Sequence, residues 1–488
     1  MASNLFTRLK NQLKPLKKKE NFPFVIGLIG LFFLFFLPPT DPDLGWQLQC
    51  GKQIWQMGKI CYLNTFSVFL PNYPWSHSNT LYQISLYPFY RFLGLPGLSF
   101  YNSLLVAASF FIFFLLAGQK TLRLILLPLV IYLSWGVFSF GIRGQVTSLF
   151  YFLLLLLVFE KSKQNIKAFF FSPLILFLWA NSHGSFVVGI VMLALFFLEK
   201  TLFAFKEKKI SKNYSLYAVF CFLALAVTLV NPFGLKIYEE AWRHFHTVAL
   251  SKLIAEWVPP TSFYRLFVYL FLALGLYLLA LIRKEPLSLF KTFLLVGLAY
   301  LAIKARRNLT YFFIFGVYVL SFAKEKFLSH QRLETLSLLV ALFLFVYGFF
   351  YQFPKTLLLD TSWPKYCLSG QVEYPCAAVE FLKKQPAGNL FNRYEWGGFL
   401  IWQLPQDKIF VDGRMPAWKT PSGKSPYTVF LDTYLPQVGW QETLKQYNIK
   451  WILVSPYGYL GTVLQSDPTN KDWEQVYLDQ VAIVFKRR

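Results

Sequence analysis

Long apolar runs alternate with short polar connections along this chain, and the connections fall into two kinds. Runs near twenty apolar residues can span a bilayer as helix. They recur from the amino end onward: about Phe22 to Leu37, Leu98 to Ala117 and Leu124 to Phe140, and on to a final run at about Leu333 to Tyr351. About eleven transmembrane helices are expected. One set of connections is short and basic: Arg8 to Lys19 ahead of the first run, Lys120 with Arg123, Lys161 with Lys163 and Lys167, Lys200 with Lys206 to Lys212, Arg283 with Lys284, and Lys324 with Lys326. A basic excess marks the cytoplasmic side, so the amino terminus is expected inside and the tail outside. The basic start precedes a run without a small-residue cleavage site and reads as a retained first span.

The second set of connections carries different chemistry. Asp41, Asp43, His77, Arg143, Gln145, Asn181, His183, Asn231, Glu256, Arg306 and Arg307 all fall at or just beyond expected helix ends on the outer side. Asp41 and Asp43 follow the first run directly, between prolines that stop the helix and hold an extended turn. Acidic groups at that depth are costly and call for a reason. Bland readings stand beside the functional one. Asp41 can cap the next helix. A lone histidine can simply hydrogen-bond at an interface. Asn231-Pro232-Phe233-Gly234 is a good helix terminator, and Arg306 and Arg307 can snorkel to headgroups. Their common confinement to one side points to a polar cavity opening outward, where the acids and the late arginines converge.

The first outer connection, about 38–97, reads as structured. Leu44, Leu48 and Trp55 recur at helical spacing, as in a helix lying on the membrane surface. Thr80 to Phe92 is a second such candidate, with Ser78 or Asn79 as its cap. Three regions follow: a basic segment 1–21, a membrane domain 22–351 that includes this loop, and a tail 352–488.

Composition changes the picture only by excluding classes. The chain is 56% hydrophobic and 20% aromatic with 15% charged residues, far from the soluble range and fitting a polytopic membrane protein. The net charge of +24 comes from the connecting loops, so it argues for membrane topology and against a nucleic-acid partner.

In the tail, helix-like and strand-like segments alternate. Helices are expected at Ala377 to Lys384, Gly398 to Gln403 and Trp440 to Tyr447. Strands are expected at Asn389 to Phe391, Lys408 to Val411 and Trp451 to Val454, with a strand pair in Val476 to Phe485. That alternation predicts a small extracytoplasmic α/β domain with a partly parallel sheet. Asp412-Gly413-Arg414 then sits at a strand's carboxyl end, where such sheets place binding groups, though Asp412 can equally be a turn former before glycine. Of the five cysteines, Cys50 and Cys61 share the outer loop and Cys367 and Cys376 share the tail. Each pair is open to disulfide formation or to free buried thiols. Cys221 packs within a span, and no CxxC zinc spacing occurs.

The ordered series Asp41-Pro42-Asp43-Leu44, Trp75-Ser76-His77, Arg143-Gly144-Gln145, Asn181-Ser182-His183-Gly184, Asn231-Pro232-Phe233-Gly234, Glu256-Trp257 and Arg306-Arg307-Asn308 resembles the GT-C glycosyltransferases over essentially the whole chain. That group includes oligosaccharyltransferase catalytic subunits, protein O-mannosyltransferases and lipid A aminoarabinose transferases, and a large bacterial set of GT-C-like membrane proteins is more similar still. The resemblance implies a donor sugar on a polyprenyl phosphate or diphosphate, used at the outer face of the plasma membrane, and a glycan, lipid or protein acceptor. By this resemblance Asp41 or Asp43 is the general base or the ligand of Mg²⁺ or Mn²⁺. Arg306 or Arg307, with Arg143 beside it, holds the leaving phosphate. His77, His183 and Glu256 stand behind them as metal ligands or acceptor contacts, and Gln145 and Asn181 as acceptor contacts or supports. Tyr394-Glu395-Trp396-Gly397-Gly398 is similar to the acceptor-recognition motif of oligosaccharyltransferases but lacks its tandem tryptophan. Trp396, Asp412 and Arg414 are therefore candidates for acceptor contact without a sequon reading. A flippase of lipid-linked saccharides would use the same cavity without a base, and inverted repeats would favour it; no clear internal repeat is present. A non-catalytic envelope scaffold is the third reading.

Overall fold

The computed structural model of the chain describes residues 21–207, 212–247, 254–281, 289–323, 330–357, 366–367, 373–467 and 471–488. The basic stretches expected at Arg8 to Lys19, Arg283 and Lys284, and Lys324 and Lys326 lie outside these residues, as does most of Lys206 to Lys212. The described chain is mostly helical with one small sheet toward its carboxy end. It divides into two compact units. The first draws on the described parts of Met1–Leu37, Ser99–Val230 and Leu253–Leu358; the second on those of Pro38–Leu98, Asn231–Lys252 and Leu359–Arg488.

The expected apolar runs are helical over most of their described residues, the first ending at Leu34 and the second at Leu115. Among the described residues, five helices are long and apolar enough to cross a membrane: Thr80–Leu115, Gly144–Ser162, Phe186–Lys206, Ser262–Leu281 and Gln331–Leu357. Phe22–Leu34, Ile166–Ala180 and Asn213–Leu229 are shorter apolar helices. Exposed Phe222, Tyr277 and Leu339 on these helices fit contact with acyl chains, which helices tolerate because their backbone groups are satisfied internally. Two runs differ from their expected form. Leu124 to Phe140 is interrupted at Ser134, giving Lys120–Leu133 and Trp135–Phe138. The Thr80 to Phe92 segment and the run from Leu98 form one helical path, bent at Gly94 with φ 64°, a left-handed conformation that glycine adopts without a Cβ clash.

In the first unit Phe22–Leu34 packs along His330–Tyr347, and the Phe33 ring meets those of Phe345, Phe349 and Phe353. Arg123, expected as a topology-setting charge, is fully buried. Its guanidinium donates to the carbonyls of Leu116, Ala117 and Gly118, which a helix end would otherwise leave without partners. Glu160 accepts from the Ala117 N–H at 2.7 Å and from the Tyr318 hydroxyl. The same charge that marks sidedness in sequence is thus spent on locking helix ends together.

The second unit is organised by a five-stranded sheet. With β1 Asn389–Asn392, β2 Lys408–Ile409, β3 Ile449–Val454, β4 Trp473–Leu478 and β5 Ile483–Arg487, the order is β2-β1-β3-β5-β4. β2, β1 and β3 run parallel and β5 and β4 antiparallel, as expected of a partly parallel sheet. The strands near 389, 408 and 449 and the helices Cys376–Leu382, Gly397–Gln403 and Trp440–Gln446 lie where alternation placed them. The outer loop is sewn to the sheet's edge: Ile409 N–H donates to the Phe66 carbonyl and Val68 N–H to the Ile409 carbonyl, both at 3.0 Å. Leu44–Met57 packs against Gly397–Gln403. Disulfides Cys50–Cys61 and Cys367–Cys376 join residues whose Cα atoms are 5.6 and 6.2 Å apart. Closing the loop between Cys50 and Cys61 removes chain entropy from the unfolded state, so Cys50→Ala with Cys61→Ala is expected to cost about 3 kcal/mol. The check is faster protease cleavage between residues 57 and 75, with the Gly144–Ser162 region unaffected.

Candidate functional site

The acidic pair lies in the second unit. After the Phe22–Leu34 helix the two prolines prevent helix from continuing, and the next helix, Leu44–Met57, starts directly after Asp43. Asp41 is 7% exposed. Its Oδ1 accepts the Asp43 N–H at 2.8 Å and its carbonyl accepts the Leu44 N–H at 3.0 Å. That is an Asx turn, so Asp41 does shape the helix start. Asp43 Oδ1 accepts the Trp46 indole N–H at 3.0 Å. The backbone of Gly413 passes so close that a Cβ there would strike Asp43 Oδ1, and a Cβ on Gly398 would strike the Pro42 carbonyl. Both approaches require glycine. The Tyr374 hydroxyl donates to the Asp41 carbonyl at 3.4 Å. Burial first, and then the Asp41 and Asp43 charges, push this phenol far above its ordinary range, keeping it protonated beside the acids.

Asp412 and Arg414, placed by sequence among acceptor contacts, form a buried pair. Arg414 Nη2 meets Asp412 Oδ2 at 2.7 Å and Nε meets Oδ1 at 2.8 Å. The guanidinium also donates to Asn64 Oδ1 at 3.3 Å and lies over the rings of Trp75, Phe66 and Trp418. A bidentate, aromatic-stacked arginine of this kind is rigid, so the pair braces the 412–414 turn on which Asp43 rests. Trp396 is buried and donates to the Glu373 carbonyl at 2.9 Å. His77 stacks on Trp75 and touches Phe233. Its Nδ1 accepts the Asn79 N–H at 3.2 Å, so Nε2 carries the proton it shares with the Cys61 carbonyl at 3.1 Å. These residues form the packing behind the acids: Trp46 against Trp75, Trp75 against His77.

The cationic group lies in the first unit, and helix ends build it. Arg143 is the residue before Gly144–Ser162, and Arg307 is in the short turn before Leu309–Leu320. Both therefore stand at helix amino termini, where the dipole favours an anion. Glu256 bridges them: Arg143 Nη2 to Oε2 at 2.6 Å and Arg307 Nη1 to Oε1 at 3.0 Å, with Gln145 Nε2 donating to Oε2 at 3.3 Å. Backbone bonds fix the loop, Arg307 N–H to the Glu256 carbonyl and Arg306 N–H to the Val258 carbonyl, each 3.1 Å. Trp257 lies 4.4 Å under the Arg307 guanidinium and Phe140 4.3 Å under that of Arg143. Burial raises the Glu256 carboxyl, but Arg143 and Arg307 outweigh it and hold it at about 2. With two arginines and one carboxylate the group keeps a positive excess. The Arg306 side chain is exposed, and Asn181 caps, donating to the carbonyls of Phe177 and Val230.

His183 belongs to the same group. Trp179 Nε1–H donates to Ser148 Oγ at 2.9 Å, and Ser148 Oγ lies 2.7 Å from His183 Nδ1, which also accepts the Ser185 N–H at 3.2 Å. That chain of donors makes Nδ1 an acceptor and leaves the proton on Nε2. Burial, the largest cause, together with Arg307 and Arg143 and against Glu256, brings the imidazole to about 3. Ser148 and Trp179 carry no sequence signal beyond an apolar helix face.

These shifts fix a pH dependence. His77 is lowered to about 4, chiefly by burial, and His183 to about 3, against an unfolded value near 6.5. The unfolded state therefore binds more protons, so stability is full above about pH 6.5 and falls as pH drops toward 4. Glu256, held at about 2, adds to the loss only below its unfolded value. Thermal unfolding in detergent should show this fall, and His77→Gln should flatten it.

Among the described residues no group of three or more His, Cys, Asp or Glu side chains is placed to share a metal ion. No protein-family model matches the sequence, and no curated protein matches it. Its fold does match solved structures. The Archaeoglobus fulgidus oligosaccharyltransferase in its apo form aligns at TM-score 0.58 and 11% identity, covering 90% of this chain and 70% of that one. The same organism's enzyme AglB, with an inhibitory peptide and a dolichol-phosphate, aligns at 0.57 and 10%, covering 89% and 69%. ArnT from Cupriavidus metallidurans, bound to undecaprenyl phosphate, aligns at 0.51 and 11%, covering 95% and 97%. The chain therefore shares its fold with these oligosaccharyltransferase and ArnT structures.

Proposed function

We propose that this protein is a multi-pass membrane glycosyltransferase that moves a sugar from a polyprenyl-phosphate-linked donor to a glycan, lipid or protein acceptor. About eleven helices cross the plasma membrane of a bacterium, amino terminus inside, with transfer on the extracytoplasmic face. The observation that carries this reading is the Arg143–Glu256–Arg307 group with its positive excess at two helix amino termini, in a chain whose fold is shared with enzymes bound to dolichol-phosphate and undecaprenyl phosphate. Arg143 and Arg307 hold the phosphate and stabilise the charge it gains as the sugar–phosphate bond breaks. Exposed Arg306 adds to the local field, and the His183 Nε2–H offers one more donor. Asp41 or Asp43 takes the proton from the acceptor hydroxyl or amide as its oxygen or nitrogen bonds to the sugar.

Carboxylate oxygens suit Mg²⁺ or Mn²⁺, and Asp41 and Asp43 would be the ligands of such an ion. When bound it would offset charge on donor and acceptor. A chelator should abolish transfer, and either ion should restore it, if this role holds; transfer unchanged in chelator assigns the acids to proton transfer alone. The function itself is tested by reconstituting the protein in vesicles with polyprenyl-linked sugars and identifying products by mass spectrometry, alongside envelope glycans from a deletion strain. Movement of the intact lipid-linked sugar across the vesicle without transfer would identify a flippase.

A further inference from the structure

The Lys236–His246 helix takes no part in either group above, and its surface is divided. Ile237 is buried, Ser76 Oγ donates to the Lys236 carbonyl at 3.1 Å, and Arg243 Nη1 donates to the Tyr73 hydroxyl at 3.1 Å. Arg243 also pairs with Glu240, as does His244. Phe233, just ahead of the helix, stacks on Tyr62. One face is therefore held to the protein by polar and apolar contacts. The other carries Leu235, Tyr238, Trp242 and Phe245, which share an arc at helical spacing. Leu235 is 66%, Trp242 68% and Phe245 57% exposed.

We infer that this helix lies in the plane of the membrane surface, its Leu235–Trp242 stripe seated at the boundary between headgroups and acyl chains. Three observations select a bilayer as the occupant. The stripe is made of leucine and aromatics, the residue types that partition to that boundary, opposite a charged face. The chain comes to the helix straight from the apolar segment Asn213–Leu229, with only the Asn231–Gly234 turn between, and goes on to the long apolar helix Ser262–Leu281. Within Lys236–His246, Lys236 and Arg243 balance Glu239 and Glu240, so there is no net charge to recruit an acidic protein or nucleic acid. Apolar insertion that is indifferent to lipid charge is what this composition supports.

The inference rests on membrane placement and not on transfer chemistry, so its failure would leave the transferase reading standing. The test uses full-length protein in lipid nanodiscs, with an environment-sensitive fluorophore on Trp242→Cys or Leu235→Cys, and on Lys236→Cys outside the stripe; parent protein treated with the same fluorophore corrects for reaction at Cys221. Labels at 235 and 242 should be quenched several-fold more by lipids carrying a shallow spin label than the label at 236, equally in neutral and anionic lipid and at high salt. Quenching of the 242 label by aqueous iodide to the same extent as the 236 label would overturn it. So would a disulfide-linked dimer through residue 242, which would make a second copy of the chain the occupant. Quenching confined to anionic lipid would replace insertion by headgroup attraction and overturn it equally.

Discussion

Replacing Asp41 or Asp43 by asparagine is expected to remove sugar transfer, by about 10²–10⁴-fold for the residue that acts as base, while the protein folds and binds donor as before. Asparagine is the informative change because it keeps the shape and one acceptor oxygen. The Asp43 N–H can still be accepted at position 41, and the Trp46 indole at position 43, so the turn and the helix start survive. What is lost is the ability to take a proton. The support behind the acids makes this expectation sharper: the Gly413 backbone against Asp43 and the buried Asp412–Arg414 pair leave the carboxylate little room to be replaced by water in a new geometry. Product formation is read by mass spectrometry and donor binding by a labelled lipid phosphate. Both single variants transferring sugar at the parental rate would end the enzymatic assignment of these acids, and donor flipped by both would favour transport.

Arg307→Ala is expected to lower turnover by about 10²–10³-fold, the usual loss for one charge-stabilising donor. Glu256→Gln is expected to act mainly on stability. It leaves Arg143 and Arg307 facing each other without the carboxylate that both meet, and stranding partly buried charge costs on the order of 3 kcal/mol when burial is deep and less here, where the Glu256 side chain is 23% exposed. The two changes share a partner, so they should not add. Combining Arg307→Ala with Glu256→Gln should recover part of the thermal stability lost in Glu256→Gln alone, because one of the two stranded charges is gone. Strict additivity in the unfolding temperature would show that the three side chains do not act as one group in the membrane.

Several elements are weakly marked in the linear sequence, each for a physical reason. Pro426–Tyr434 carries its own start signal, since Ser425 accepts the Thr428 N–H at 3.1 Å and proline occupies the first turn, and a capping search would have found it. Lys236–His246 is hidden among loops because its apolar positions are few and its charges many, although their spacing is helical. Ser148 and Trp179 lie inside apolar helices, where nothing in a linear pattern distinguishes a residue that orients a histidine from one that fills space. His77 and His183 look alike in sequence; position in the fold separates them, His77 against a disulfide-linked loop and His183 beside Arg307.

Hydrophobic period and length alone determined that the chain is a helical membrane protein with an α/β tail, because an apolar run in lipid has no option but to satisfy its backbone as helix. The chemistry at helix ends was also legible, since acids, arginines and histidines are too costly near lipid to lie there by chance. Tertiary structure alone decided which of them meet. Glu256 joins Arg143, 113 residues away, and Arg307, 51 residues away, and the 412–414 turn reaches Asp43 from the far end of the sequence. Such contacts depend on how helices and strands pack in three dimensions, and no local spacing encodes them.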